Sequence, residues 1–144
     1  MKFWDTSAIV PLCVTEPESA TVKSILSKDS SVVVWWASRT ECISAFMRQS
    51  REGSLNMESE RQATRVLESL ATSWTEVLPS AALRATAERL LAVHVLRAAD
   101  AFQLSAAIQW CQRHTVNKEL VSFDTRLREA GHKEGFNVLP ARLL

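Results

Sequence analysis

The 144-residue sequence contains only three glycines, Gly53, Gly131 and Gly135. They are too few and too scattered to build the glycine-rich loops that cradle nucleotide phosphates. Its three cysteines, Cys13, Cys42 and Cys111, are odd in number, far apart and never in a CxxC pair. That pattern suits small buried thiols in a reducing compartment better than a disulfide framework. His94, His114 and His132 stand singly, without HExxH spacing, so a zinc site has no basis. No apolar run approaches the roughly 18 residues of a membrane span. Asp5 interrupts the N-terminal stretch where a secretory signal needs its apolar core, and the expected location is the cytoplasm. An excess of one charge is missing too: 17 Lys and Arg against 16 Asp and Glu leave a net charge of +1. A broad cationic coat for nucleic acid is thereby excluded, while a local basic groove is not.

What is present is a length typical of one domain, residues 1–144, with 47% apolar residues to build a core. Lys2-Phe3-Trp4 reads as a short strand running into the polar turn Asp5-Thr6-Ser7 and a helix. Thr15-Glu16-Pro17-Glu18 has capping-box spacing ahead of a helix over 19–27. The uninterrupted run Val32-Val33-Val34-Trp35-Trp36 predicts a strand covered on both faces. Ser38 opens a helix that carries Cys42, Ala45, Phe46 and Gln49 at three-four spacing. Asn56 caps a helix over 57–72, 74–78 forms a strand, and Ser80 caps a helix over 81–93. A helix over 98–113, a strand over 120–123, a short helix to Gly131 and a last strand over 136–139 complete the chain. Strands alternating with helices of this length predict an α/β fold, a three-layer α/β/α sandwich around a mainly parallel sheet.

Four acids fall near the rim where such sheets bind ligands, at the carboxyl ends of the strands. Asp5 follows the first strand, Glu41 lies in the first turn after the second, and Asp124 follows the fourth. Asp100 shares a helical stripe with Leu96, Leu104 and Ala107, which aims its carboxylate toward the sheet. Each acid also has an ordinary reading. Asp5 and Asp124 can cap helices, Glu41 can close a capping box with Ser38, and Asp100 can pair with Arg97. Together, carboxylates converging in one cleft stay ionised at neutral pH only with positive charge between them. Oxygen ligands without Cys or His select magnesium or manganese, ions suited to phosphoryl chemistry through an activated water.

These residues resemble the PIN domain, and among PIN domains the chain is similar to the VapC toxins of bacterial toxin–antitoxin pairs. The opening strand ending in Asp-Ser/Thr-Ser/Ala appears as Phe3-Trp4-Asp5-Thr6-Ser7-Ala8. The second acid is Thr40-Glu41. The third motif, an aspartate among alanines, is Ala98-Ala99-Asp100-Ala101, and the fourth is Ser122-Phe123-Asp124-Thr125-Arg126-Leu127. The resemblance implies a metal-dependent endoribonuclease, RNA as substrate, Mg2+ or Mn2+ on Asp5, Glu41, Asp100 and Asp124, a homodimer and a cognate antitoxin protein as partner. Ser7 either supports a carboxylate or a metal water, or closes the local turn. Many relatives carry a further acid after the fourth motif. Thr125 and Arg126 stand there instead, so a second ion is held loosely or only with substrate.

Rival readings are weaker. A PIN fold that binds RNA or protein without cutting does not need four acids. A phosphorelay receiver wants paired acids by the first strand and a late lysine, and a haloacid-dehalogenase-like phosphatase wants Asp-x-Asp where Asp5-Thr6-Ser7 stands. Arg39, Arg48 and Arg51 lie near one helix, either on a solvated face or along a phosphate path. Trp4, Trp35 and Trp74 are expected in the core, with Trp36 or Trp110 at a protein interface.

Overall fold

The computed structural model describes residues 1–143. Five strands, β1 (Lys2–Trp4), β2 (Val32–Trp35), β3 (Thr75–Val77), β4 (Glu119–Val121) and β5 (Asn137–Leu139), form a wholly parallel sheet in the order β3-β2-β1-β4-β5. Seven helices connect them: α1 (Thr6–Cys13), α2 (Ser19–Lys28), α3 (Ser38–Arg51), α4 (Met57–Ala71), α5 (Ala81–Val93), α6 (Ala98–Trp110) and α7 (Thr125–Lys133). Among the described residues, no helix is long and apolar enough to cross a membrane.

Side-chain alternation along the strands divides the core into two layers. Trp4, Val32, Val34 and Val121 pack with Ile9 of α1, Val22 of α2, Phe46 of α3 and Leu67 of α4. Phe3, Val33, Trp35 and Leu120 face the other way, against Leu83 and Leu90 of α5, Leu104 and Ile108 of α6 and Leu127 of α7. Both faces of β1 and β2 are covered, which is why β2 is apolar without interruption and β1 is broken only by Lys2, whose ammonium pairs with Asp29 and Glu119. The α/β/α sandwich expected from the sequence is the one observed. Trp4 and Trp35 are buried, Trp74 and Trp110 half-buried, and Trp36 exposed. The three cysteines are free thiols.

Three local expectations differ from the structure. The box at Thr15–Glu18 does not cap α2. The helix starts at Ser19, whose hydroxyl donates to the carbonyls of Pro11 and Val14 and accepts from the amide of Glu16. Helix α6 stops at Trp110 rather than Arg113, because Gln112 and Arg113 turn left-handed, with φ of 52° and 69°. Strand β4 ends at Val121, so Ser122 and Phe123 belong to the loop that carries Asp124.

Strand order places the site. From β1 the chain adds β2 and β3 on one side, then returns to add β4 and β5 on the other. The order reverses between β1 and β4, and the carboxyl ends of strands flanking such a switch point form a ligand crevice.

Candidate active site

Asp5 leaves β1 directly at this switch point and caps α1. It is 4% exposed. Three donors converge on a single oxygen: Ser7 Oγ at 2.5 Å, Ser122 Oγ at 2.9 Å and the Ser7 amide at 3.4 Å all reach Oδ2. Burial pushes this carboxyl up to about 6, against the two serine hydroxyls, and the charges of Glu41 and Asp100 push the same way as burial. The serines also hold the β4 loop. Ser7 Oγ accepts from the Phe123 amide at 2.9 Å, and Ser122 Oγ accepts from the Asp124 amide at 3.1 Å.

Glu41 enters from the first turn of α3. Its Oε1 accepts from Thr6 Oγ1 at 2.8 Å and from Gln103 Nε2 at 3.0 Å. The capping box with Ser38 is not made: Ala37 is the N-cap residue, and the Ser38 hydroxyl accepts from Gln103 instead. Asp124 does cap α7, through Oδ1 to the Leu127 amide at 2.8 Å. Asp100, in the first turn of α6, is half-buried. Its carboxyl is raised by burial and by the charges of Asp124 and Glu41, against the amide and guanidinium of Arg97. No ion pair joins Asp100 to Arg97 among the described residues.

Asp5, Ser7, Glu41, Asp100 and Asp124 line one open cleft of about 580 Å³, together with Thr6, Arg48 and Gln49. Asp5, Glu41 and Asp124 share a feature. One carboxylate oxygen takes all the protein donors, and the other accepts none among the described residues. The charges of Glu41 and Asp100 help to raise Asp5, and those of Asp124 and Glu41 help to raise Asp100. Among the described residues, no three His, Cys, Asp or Glu side chains converge closely enough to enclose an ion by themselves. An ion here would complete its shell with water, as magnesium ordinarily does.

The family model for the PIN domain matches residues 2–133. The chain belongs to the PIN domain family. PIN domains are generally nucleases, typically with Mg2+ or Mn2+. No curated protein matches the sequence.

In this PIN domain the four acids come from three loop–helix junctions and one strand end, and sequence position alone brought them to a common rim. Two participants escape such reading. Ser122 looks like one more strand residue, and Gln103 lies on the apolar stripe of α6. The available signal was polarity out of place: Gln103 sits three residues from Asp100 on a face where Leu104 and Ala107 are buried. Arg39 and Arg51 do not line the cleft, whereas Arg48 does.

Proposed function

We propose that this PIN domain is a divalent-metal-dependent endoribonuclease that hydrolyses RNA phosphodiesters, and that it is the toxin of a toxin–antitoxin pair. The observation that carries the nuclease reading is the division within the carboxylates. Donors from the fold hold one oxygen each of Asp5, Glu41 and Asp124, and the second is left for the cleft. Helix caps alone would not require three such acids and Asp100 to share one cleft.

In this reading Asp5 and Asp100 are the principal ligands of Mg2+ or Mn2+, and Glu41 and Asp124 bind directly or through water. The donor set, hard oxygens with no Cys or His, fits these ions. When bound, the ion acidifies a water and offsets the charge of the phosphodiester. Ser7 and Ser122 fix the plane of the Asp5 carboxylate. Their hydroxyls also keep the Asp124 loop in register with β1. Hydrolysis of this kind leaves a 5′-phosphate and makes no use of the ribose 2′-hydroxyl, so RNA follows from the family and not from the acids.

The cleft is acidic, and a polyanion approaching it needs cations at the margins. Arg48 lines the cleft itself. A groove of about 510 Å³ adjoins the cleft through Asp100 and Asp124 and is lined by Arg97, Thr125 and Arg126. An antitoxin partner and a homodimer complete the proposal through the resemblance to VapC toxins. RNA cleavage with and without Mn2+, by the parent and by Asp100→Asn, is the test. Loss of several kcal/mol of charge stabilisation predicts at least about a 100-fold fall in rate for the variant. Equal cleavage by both, or cleavage unaffected by chelation, overturns the assignment.

A further inference from the structure

Gln103 follows Asp100 by one helical turn and is 1% exposed. A primary amide so deeply buried is unfavourable unless its polar atoms are met. Its Nε2 stands 3.0 Å from each of three oxygens: Thr6 Oγ1 of α1, and Ser38 Oγ and Glu41 Oε1 of α3. Two N–H bonds thus serve three acceptors where α1, α3 and α6 meet. The other end of the amide, Oε1, is buried and accepts no hydrogen bond among the described residues.

That unmatched oxygen is informative. Turning the amide over would pair Oε1 with the Ser38 hydroxyl, but would set it against the carboxylate of Glu41. The orientation adopted sacrifices an acceptor to keep a donor on Glu41. A leucine would fill the same volume without a buried unpaired carbonyl, so packing alone gives no reason for glutamine. We infer that Gln103 is a positioning residue: together with Thr6 it pins Oε1 of Glu41 and presents Oε2 to the divalent ion. This inference rests on the reading of the cleft as a metal site. Hydrogen bonds behind a ligating carboxylate commonly change metal affinity 10- to 100-fold.

The test is Mn2+ binding to the intact protein, followed by the spin-resonance signal of free Mn2+, beside circular dichroism of each variant. Gln103→Leu removes the donor at nearly constant volume and is expected to weaken Mn2+ binding about tenfold with the helical spectrum retained. Ser38→Ala removes a partner of the same amide without touching Glu41, and leaves Mn2+ binding within about twofold. Thr6→Val removes the second donor on Oε1 and weakens binding severalfold, which carries the test should Gln103→Leu fail to fold. If the parent binds Mn2+ and both Gln103→Leu and Thr6→Val bind it equally well, the positioning role is overturned. If the parent binds no Mn2+, the metal reading of the cleft fails, and the role of Gln103 falls with it.

Discussion

Replacing Asp5 by asparagine should make the metal-free protein more stable while abolishing its proposed activity. Asp5 is buried, and burial with the Glu41 and Asp100 charges lifts its carboxyl from an ordinary 3.8 to about 6. The folded state therefore holds this proton more tightly than the unfolded chain does. Protonation stabilises the fold fully below about 4. The stabilisation is lost as pH rises through about 6, leaving the ionised form at a disadvantage of about 3 kcal/mol at neutral pH, at about 1.36 kcal/mol per pH unit. Asparagine keeps the shape without the charge. Its carbonyl can take the three hydrogen bonds that converge on Oδ2, and its amide replaces the oxygen that has no protein donor. For a domain of this size, about 3 kcal/mol corresponds to roughly 10 °C in Tm. Urea unfolding of parent and Asp5→Asn in EDTA, from pH 4.5 to 7.5, measures the difference. The variant should lead by about 3 kcal/mol at pH 7.5, and the lead should shrink steadily toward pH 4.5. A variant no more stable at pH 7.5, or a lead that does not change with pH, refutes the reasoning. Saturating Mn2+ should narrow the gap, because it stabilises only the protein that binds it.

Exchanging Arg97 and Arg126 together for glutamine, in an Asp100→Asn background that does not cut, should lower the salt dependence of RNA binding. Losing two phosphate contacts reduces the slope of log K against log salt by about 1.4, which fluorescence anisotropy over a salt series would read. Gly131→Ala places a Cβ 2.6 Å from Leu120 Cδ2, a fully buried side chain with little room to move. It should cost about 1–3 kcal/mol of unfolding free energy in urea titrations. Ser80→Ala removes the hydroxyl that accepts from the Leu83 amide at the start of α5, and should cost about 1 kcal/mol in the same assay with RNA cleavage unchanged.

Much of the fold was legible because the strong signals were local. The run Val32–Trp35 is buried at every residue, as an apolar strand inside a parallel sheet must be. Asn56 and Ser80 cap their helices through the side chains that the sequence offered. The misread boundaries depend on contacts from afar. Ser19 turns back to Pro11 and Val14 and displaces the local box, and the left-handed turn at Gln112–Arg113 has no glycine to announce it. The candidate site divides in the same way. Acids beside strand ends can be read one at a time, since an isolated carboxylate next to an apolar segment is conspicuous. Ser122 and Gln103 cannot, because their value lies in the partner they meet across 117 and 62 residues of chain.

The central position of β1 ties chemistry to the completion of folding. Lys2 lies beside Val32 on one flank, but Phe3 lies beside Leu120 on the other. Until the late segment docks, β1 keeps a bare edge and Asp5 lacks the hydroxyl of Ser122, while Asp124 is still elsewhere. Closing so long a loop comes at an entropic cost that only the finished sheet repays. A chain in which β4 has not yet docked on β1 therefore lacks the full set of acids at this rim, and the proposed hydrolytic competence would await that pairing.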